Sequence, residues 1–257
     1  MAGTQFLCFA DYLIYKGNDT YSINSCETIE FFYNIRTDLD KYKYAVHITK
    51  IVLDVTNENE NSYRTLQLFL NTLSLEDYYE TDTHWRQEKI IGTAKKLAAA
   101  MGADITADFT EKKLDKEFYG VYYGQAALPM KADELYYLES DYLDNCKVFD
   151  QETNSYITVY DHEKANGNDA YELFLSGSKS LLTIENPSAE NDRELIIFRD
   201  SFGSSIAPLL AQDYSKTPLI DIRYLQSAVL GNFVDFHGQD VLFLYSTLVL
   251  NNSVTLK

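Results

Sequence analysis

Ser201, His84 and Asp82 are residue types that together can move an acyl group. A serine hydroxyl is a poor nucleophile until an imidazole takes its proton. The imidazole works best when a carboxylate fixes its tautomer and stabilises the imidazolium. Asp82 and His84 stand two apart in Asp82-Thr83-His84, so in an extended segment both side chains point to one side. Ser201 follows Leu195-Ile196-Ile197-Phe198-Arg199-Asp200, an apolar run that ends abruptly in charge. Four unbroken apolar residues suit a strand buried on both faces. Gly203 permits a sharp turn. Ile206, Leu209 and Leu210 then have helical spacing, with Ser204 or Ser205 suited to the N-cap. Ser201 is thereby placed just past the carboxyl end of a strand, where open α/β sheets bind ligands. A serine at such a junction is either a nucleophile or a structural cap.

The elements that must position these residues follow from periodicity. Leu73 to Trp85 reads as a loop that feeds a helix, since Ile90, Ile91, Ala94, Leu97, Ala98 and Met101 repeat at helical spacing and Gly102 is a natural stop. The only Trp of the chain, Trp85, closes the loop. Downstream of Ser201, Leu219 to Tyr224 predicts a strand, Leu225 to Phe233 a helix and Asp240 to Ser246 another buried strand. Strand and helix alternate from Glu194 to Ser246, which predicts a parallel sheet with right-handed crossovers. The intervening residues 103–192 are rich in Tyr and Asp and read as an inserted β-rich segment. Within it, Glu152-Thr153-Asn154-Ser155 turns a hairpin, and Phe118 to Gly124 is a loop or bent strand broken by glycines. In residues 1–70, Phe6 to Tyr15 is a strand or short helix, Ser25 to Tyr42 has helix spacing, Ile48 to Val55 predicts a strand and Asn57 to Ser62 a polar loop.

Composition bounds the function. A chain of 257 residues with 46% hydrophobic residues can build one large α/β domain. Its formal net charge of −17 argues against nucleic acid and against anionic membrane surfaces as partners, because both need clustered Lys and Arg. The 21 tyrosines suit sugar- or protein-binding surfaces, or simply core and strand positions. Cys8, Cys26 and Cys146 share no metal-type spacing, and no cofactor or metal site is expected. Met1 to Ala10 lacks the pattern of a signal peptide.

Tyr78-Tyr79-Glu80-Thr81-Asp82-Thr83-His84-Trp85, followed by Asp200-Ser201-Phe202-Gly203-Ser204-Ser205 and Asp221-Ile222-Arg223-Tyr224, resembles the DHHW protein family of bacteria. That family belongs with the SGNH hydrolase-like proteins and is related to the alginate O-acetylation proteins, in which an Asp-x-His pair precedes the serine. The resemblance runs from about Leu73 to Ser253 and is weak over residues 1–70. It implies one three-layer, flavodoxin-like domain over residues 1–257, built on a parallel sheet. By position, Ser201 resembles the nucleophile, His84 the general base and Asp82 its orienting carboxylate. Gly203 and Gly177 are candidate oxyanion-hole residues. The implied activity is acyl transfer to, or ester hydrolysis from, a cell-envelope or exopolysaccharide glycan. The partners would be a carbohydrate or other ester substrate and an envelope assembly, in an extracytoplasmic setting. A non-catalytic glycan- or protein-binding module is the alternative. Two positions differ from the expected pattern: Thr83 stands where the family name implies a second histidine, and Arg199 stands where ordinary SGNH esterases have glycine.

Three further residues are substrate-binding candidates. Arg223 either holds a sugar carboxylate or an acyl oxygen, or pairs with an acidic neighbour. Trp85 either stacks on a sugar or anchors the packing. Tyr79 is a sugar-contact candidate, as are Tyr78, Tyr122 and Tyr123. Asp200 is expected to hold the turn around Ser201.

Overall fold

The computed structural model describes residues 48–55, 63–69, 73–126, 130–246 and 249. The expected helix over Ser25 to Tyr42, the aromatic stretch from Phe6 and the polar loop at 57–62 lie outside them. Strand β1 (Ile48–Val55), foretold by its β-branched alternation, pairs antiparallel with β2 (Tyr63–Phe69). The loop carrying Asp82 and His84 leads into α1 (Ile91–Ala100), which stops at Gly102 with φ +67°. Strand β3 (Thr110–Phe118), helix α2 (Val121–Ala126) and β4 (Asp133–Glu139) follow, with β3 and β4 paired antiparallel. The Phe118 to Gly124 stretch is therefore a strand end and a short helix. Next come α3 (Asp141–Asn145), the expected hairpin of β5 (Lys147–Asp150) and β6 (Ser155–Ile157), α4 (His162–Ala165) and β7 (Leu181–Glu185). The chain continues through β8 (Leu195–Arg199), α5 (Gly203–Leu210), β9 (Lys216–Ile220) and β10 (Asp240–Leu244).

Six strands form one sheet in the order β10-β8-β9-β7-β5-β6. Strand β8 runs parallel to β10 and β9, but β9–β7, β7–β5 and β5–β6 are antiparallel. The fold is α/β with a mixed sheet, and the expectation of a parallel sheet holds for three strands only. A parallel crossover takes about a dozen residues or more, usually with a helix. Helix α5 supplies one between β8 and β9, while the links from β5 to β6 and from β7 to β8 contain no helix. Residues 103–192 are also not a separate insertion throughout: β5, β6 and β7 belong to the main sheet, and only β3 and β4 form a sheet of their own.

Strand β8 is buried on both faces, as its apolar run dictates. Leu195 and Ile197 pack with Ala94, Leu97, Ile206 and Leu209 of α1 and α5. Ile196 and Phe198 pack on the other face with Leu230 and Val234. That second face is covered by a 3-10 helix, Ser227–Asn232, where an α-helix over Leu225 to Phe233 was expected. Val249, also helical, packs against the same face. A further cluster lies under the β3–β4 hairpin, where Leu114, Phe118 and Leu135 meet Tyr79, Tyr171 and Phe174.

Trp85 is 1% exposed and belongs to the main core. Trp85→Ala is expected to cost about 3–5 kcal/mol in urea unfolding. A loss below about 1 kcal/mol would place the ring outside the core.

Candidate active site

The loop at residues 78–85 is closed at its base. Tyr78 and Trp85 form an antiparallel bridge, and the Tyr79 amide donates to the His84 carbonyl at 3.2 Å. The start of β4 grips its outer side. The Asp133 carboxylate accepts from the Glu80 amide at 3.0 Å, the Thr81 amide at 2.7 Å and the Thr81 hydroxyl at 2.6 Å. Asp82 is then folded inward and is 3% exposed.

Asp82 Oδ1 accepts from the His84 amide at 2.9 Å and faces His84 Nδ1 at 2.5 Å, while Oδ2 accepts from the Val121 amide at 3.1 Å. Burial works against the charge of Asp82, but the hydrogen bond and attraction from His84, with the amides of His84 and Val121, hold its carboxyl below its ordinary value. An ionised carboxylate can only accept, so His84 Nδ1 carries a proton, and in the neutral imidazole Nε2 is then the acceptor. His84 Nε2 lies 2.8 Å from Ser201 Oγ. The structure therefore brings Asp82, His84 and Ser201, residues from segments far apart in the chain, into one hydrogen-bonded line. The ring of His84 stacks on Tyr171, with centroids 3.9 Å apart and planes 11° apart, and Phe202 packs at 5.0 Å.

Ser201 sits in the turn between β8 and α5, as expected. Asp200 holds this turn, since its Oδ1 accepts from the Phe202 amide at 3.0 Å and its Oδ2 from the Ser246 amide at 2.7 Å. Neither Ser204 nor Ser205 is the N-cap; the cap position is Phe202. Ser204 Oγ accepts from Arg199 Nη1 at 2.9 Å. Ser205 Oγ accepts from Trp85 Nε1 and from the Tyr171 hydroxyl, each at 2.8 Å. Gln87 donates to the Ser205 carbonyl at 2.7 Å and accepts from the Leu138 amide and the Tyr160 hydroxyl, each at 3.0 Å. Gln87 and Tyr171 carry no motif, and only their contacts reveal them; Ser205, expected as a cap, acts through its hydroxyl instead.

The other expected site residues fare differently. Trp85 is a buried anchor, not a sugar platform. Tyr79 is 4% exposed and edge-on to Phe118, so it offers no surface to a ligand. Arg223 is clamped on Asp221, with Nη2–Oδ2 at 2.6 Å and Nε–Oδ1 at 2.9 Å. It realises the acidic-neighbour alternative. The two oxyanion glycines have their amides engaged: Gly203 donates to the Asp200 carbonyl at 3.0 Å and Gly177 to the Phe174 carbonyl at 3.2 Å. Each glycine serves packing, because a Cβ on Gly203 would lie 2.6 Å from Arg199 Cβ and one on Gly177 would lie 2.9 Å from Glu172 Cγ. Gly177 also has φ +82°. Tyr122 and Tyr123 are exposed on α2, beside Asp82. The thiol of Cys146 is pushed up to about 11 by burial, which makes it a poor rival nucleophile. Among the described residues, no group of three His, Cys, Asp or Glu is placed to hold a metal ion, and no helix is long and apolar enough to cross a membrane.

Two measurements test this geometry. A Cβ on Gly120 would lie 2.2 Å from Asp82 Cβ and 2.6 Å from its Cα. Gly120→Ala is accordingly expected to cost about 1–3 kcal/mol and to displace Asp82; full stability in urea would contradict the close approach. Asp82 also carries a pH signature. A carboxyl held below its unfolded value of about 3.9 contributes stability in full above that pH and loses it as pH falls through the folded value. The stability gap between wild type and Asp82→Asn should therefore be large at pH 7 and shrink below about pH 4. A gap independent of pH would mean that Asp82 is not an ionised partner of His84.

Known proteins share parts of this chain. Over 73 residues, 28% of the chain, it is 52% identical to the DNA repair protein RecO of Acetivibrio thermocellus, and it spans 29% of that relative's length. The fold is similar to the crystal structure of a DHHW family protein from Eubacterium siraeum, with a TM-score of 0.58 at 18% identity over 98% of this chain and 80% of that one. It is also similar to Bacillus cereus PatB1, solved with a sulfonyl adduct, with a TM-score of 0.52 at 21% identity over 68% of this chain and 62% of PatB1. The profile of the DHHW proteins matches residues 65–220, which contain the Asp82–His84 loop and the Ser201 turn. The chain belongs to the DHHW protein family.

Proposed function

We propose that the protein is a serine-dependent acyltransferase or esterase acting on a carbohydrate ester. The observation that carries this reading is the line from Asp82 through His84 to Ser201, with contacts of 2.5 and 2.8 Å. In this mechanism Ser201 Oγ attacks the ester carbonyl while its proton passes to His84 Nε2. Asp82 stabilises the imidazolium without taking the proton. The tetrahedral intermediate collapses, and the leaving alcohol takes the proton back from His84. A sugar hydroxyl or water then attacks acyl-Ser201 by the same route in reverse.

The sulfonyl adduct of PatB1 adds support at the level of chemistry, since sulfonyl electrophiles are captured by activated nucleophiles. The exposed rings of Tyr119, Tyr122 and Tyr123, next to the Asp82 loop, suit the apolar faces of sugar rings. An extracytoplasmic setting and an envelope or exopolysaccharide substrate belong to the same proposal. The RecO likeness covers too small a share of either chain to carry that protein's activity across.

Hydrolysis of an aryl acetate is the direct test. Ser201→Ala should lower the rate by about 10³-fold or more, with unchanged far-UV circular dichroism. Equal rates for variant and wild type would sink the triad reading and leave the binding module.

A further inference from the structure

Arg199 is the last residue of β8 and has no exposed surface, so a guanidinium lies fully inside the protein next to the nucleophile turn. Among the described residues it forms no direct ion pair. Its Nη1 donates to Ser204 Oγ at 2.9 Å and to the Asp200 carbonyl at 3.3 Å, its Nη2 reaches the Lys179 carbonyl at 3.5 Å, and its buried Nε has no hydrogen-bond partner among those residues. The nearby carboxylates make their hydrogen bonds elsewhere, Asp221 with Arg223 and Asp200 with the Phe202 and Ser246 amides, but both still attract the guanidinium. Burial pushes the guanidinium down from its ordinary value, but arginine starts so high that it stays charged. A buried cation with no direct ion pair carries a desolvation cost, and this one lies against the first turn of α5, where the helix dipole disfavours positive charge. Gly203 makes the room for it.

The partners of Arg199 point to what this cost achieves. The Asp200 carbonyl and the Ser201 amide belong to the same peptide group. The carbonyl takes both Arg199 Nη1 and the Gly203 amide. Within the turn, the amides of Asp200, Phe202, Gly203 and Ser204 all have acceptors. The Ser201 amide has none among the described residues. A cation bound to a peptide oxygen draws electron density from its N–H and strengthens it as a donor.

We infer that Arg199 is a positioning residue that fixes and polarises the Asp200–Ser201 peptide, so that the Ser201 N–H stabilises the oxyanion. It acts through that peptide and touches no substrate. The inference rests on the serine-dependent reading above and specifies how the site manages without Gly203 or Gly177 as donors. An oxyanion donor contributes mainly in the transition state, so its weakening lowers kcat and leaves KM little changed.

The experiment compares wild type, Arg199→Met and Arg199→Lys in aryl acetate hydrolysis and in thermal melting. Arg199→Met should lose about 10²-fold in kcat with KM nearly constant while remaining folded at the assay temperature. Arg199→Lys, which keeps the charge, should recover activity to within about 10-fold of wild type. Wild-type kcat in Arg199→Met, or equal losses in both variants with lowered melting temperatures, would overturn the inference and leave Arg199 structural. A wild type with no Ser201-dependent activity would remove the underlying reading, and the inference with it.

Discussion

The Ser205 hydroxyl accepts hydrogen bonds from the indole of Trp85 and the phenol of Tyr171, and all three residues are buried. Trp85 follows His84 directly in the chain. Tyr171 stacks on the His84 ring, and Ser205 lies one turn of helix beyond Ser201. One oxygen thus ties together the imidazole's backbone, the imidazole's stacking partner and the helix that follows the Ser201 turn. Removing that acceptor would strand at least the Tyr171 hydroxyl in the interior, a loss of about 1–3 kcal/mol. Gln87 adds a second tie one residue pair away, from the Ser205 carbonyl to the hairpin strand at Leu138.

The carboxylate end is held by different means. Two backbone amides, of His84 and Val121, bond Asp82 itself, and the Glu80 and Thr81 amides bond Asp133 just outside. Bonds of this kind favour the ionised carboxylate and fix its direction. Gly120 completes the arrangement by letting the chain between β3 and α2 lie directly against Asp82. The small hairpin sheet, apart from the main sheet in its pairing, is thereby part of the site.

Much of this was legible in the residues. The doubly buried β8, the turn at Ser201, α1 and its Gly102 stop, and the hairpin around Asn154 follow from patterns of one or two turns in length. The direction of β7 and β5 does not, because it depends on where the chain returns after a loop, and no local pattern separates a mixed sheet from a parallel one. Around the site, Asp82, His84 and Ser201 announce themselves by type and order. Trp85 and Tyr79 do not reveal their burial, since an aromatic ring suits a core and a sugar equally well. Arg223 shows no sign in the sequence of turning back on Asp221. Ser205 and Gln87 are ordinary polar residues whose importance lies wholly in their partners. Arg199 was visible as an oddity, and only the burial of its guanidinium gives that oddity a physical content.

The order of the residues along the chain also bears on how the site is built. His84 and Ser201 are separated by 117 positions. Synthesis runs from the N-terminus, so the Asp82–His84 loop and the β3–β4 hairpin that grips it leave the ribosome well before the turn that presents the serine. The loop's own bridge between Tyr78 and Trp85 is local and inexpensive in entropy, whereas the bond to Ser201 closes a long stretch of chain and comes late. A nascent chain of this protein therefore presents the Asp82–His84 loop before the Ser201 turn exists, and the three side chains meet only with the closure of the main sheet around β8.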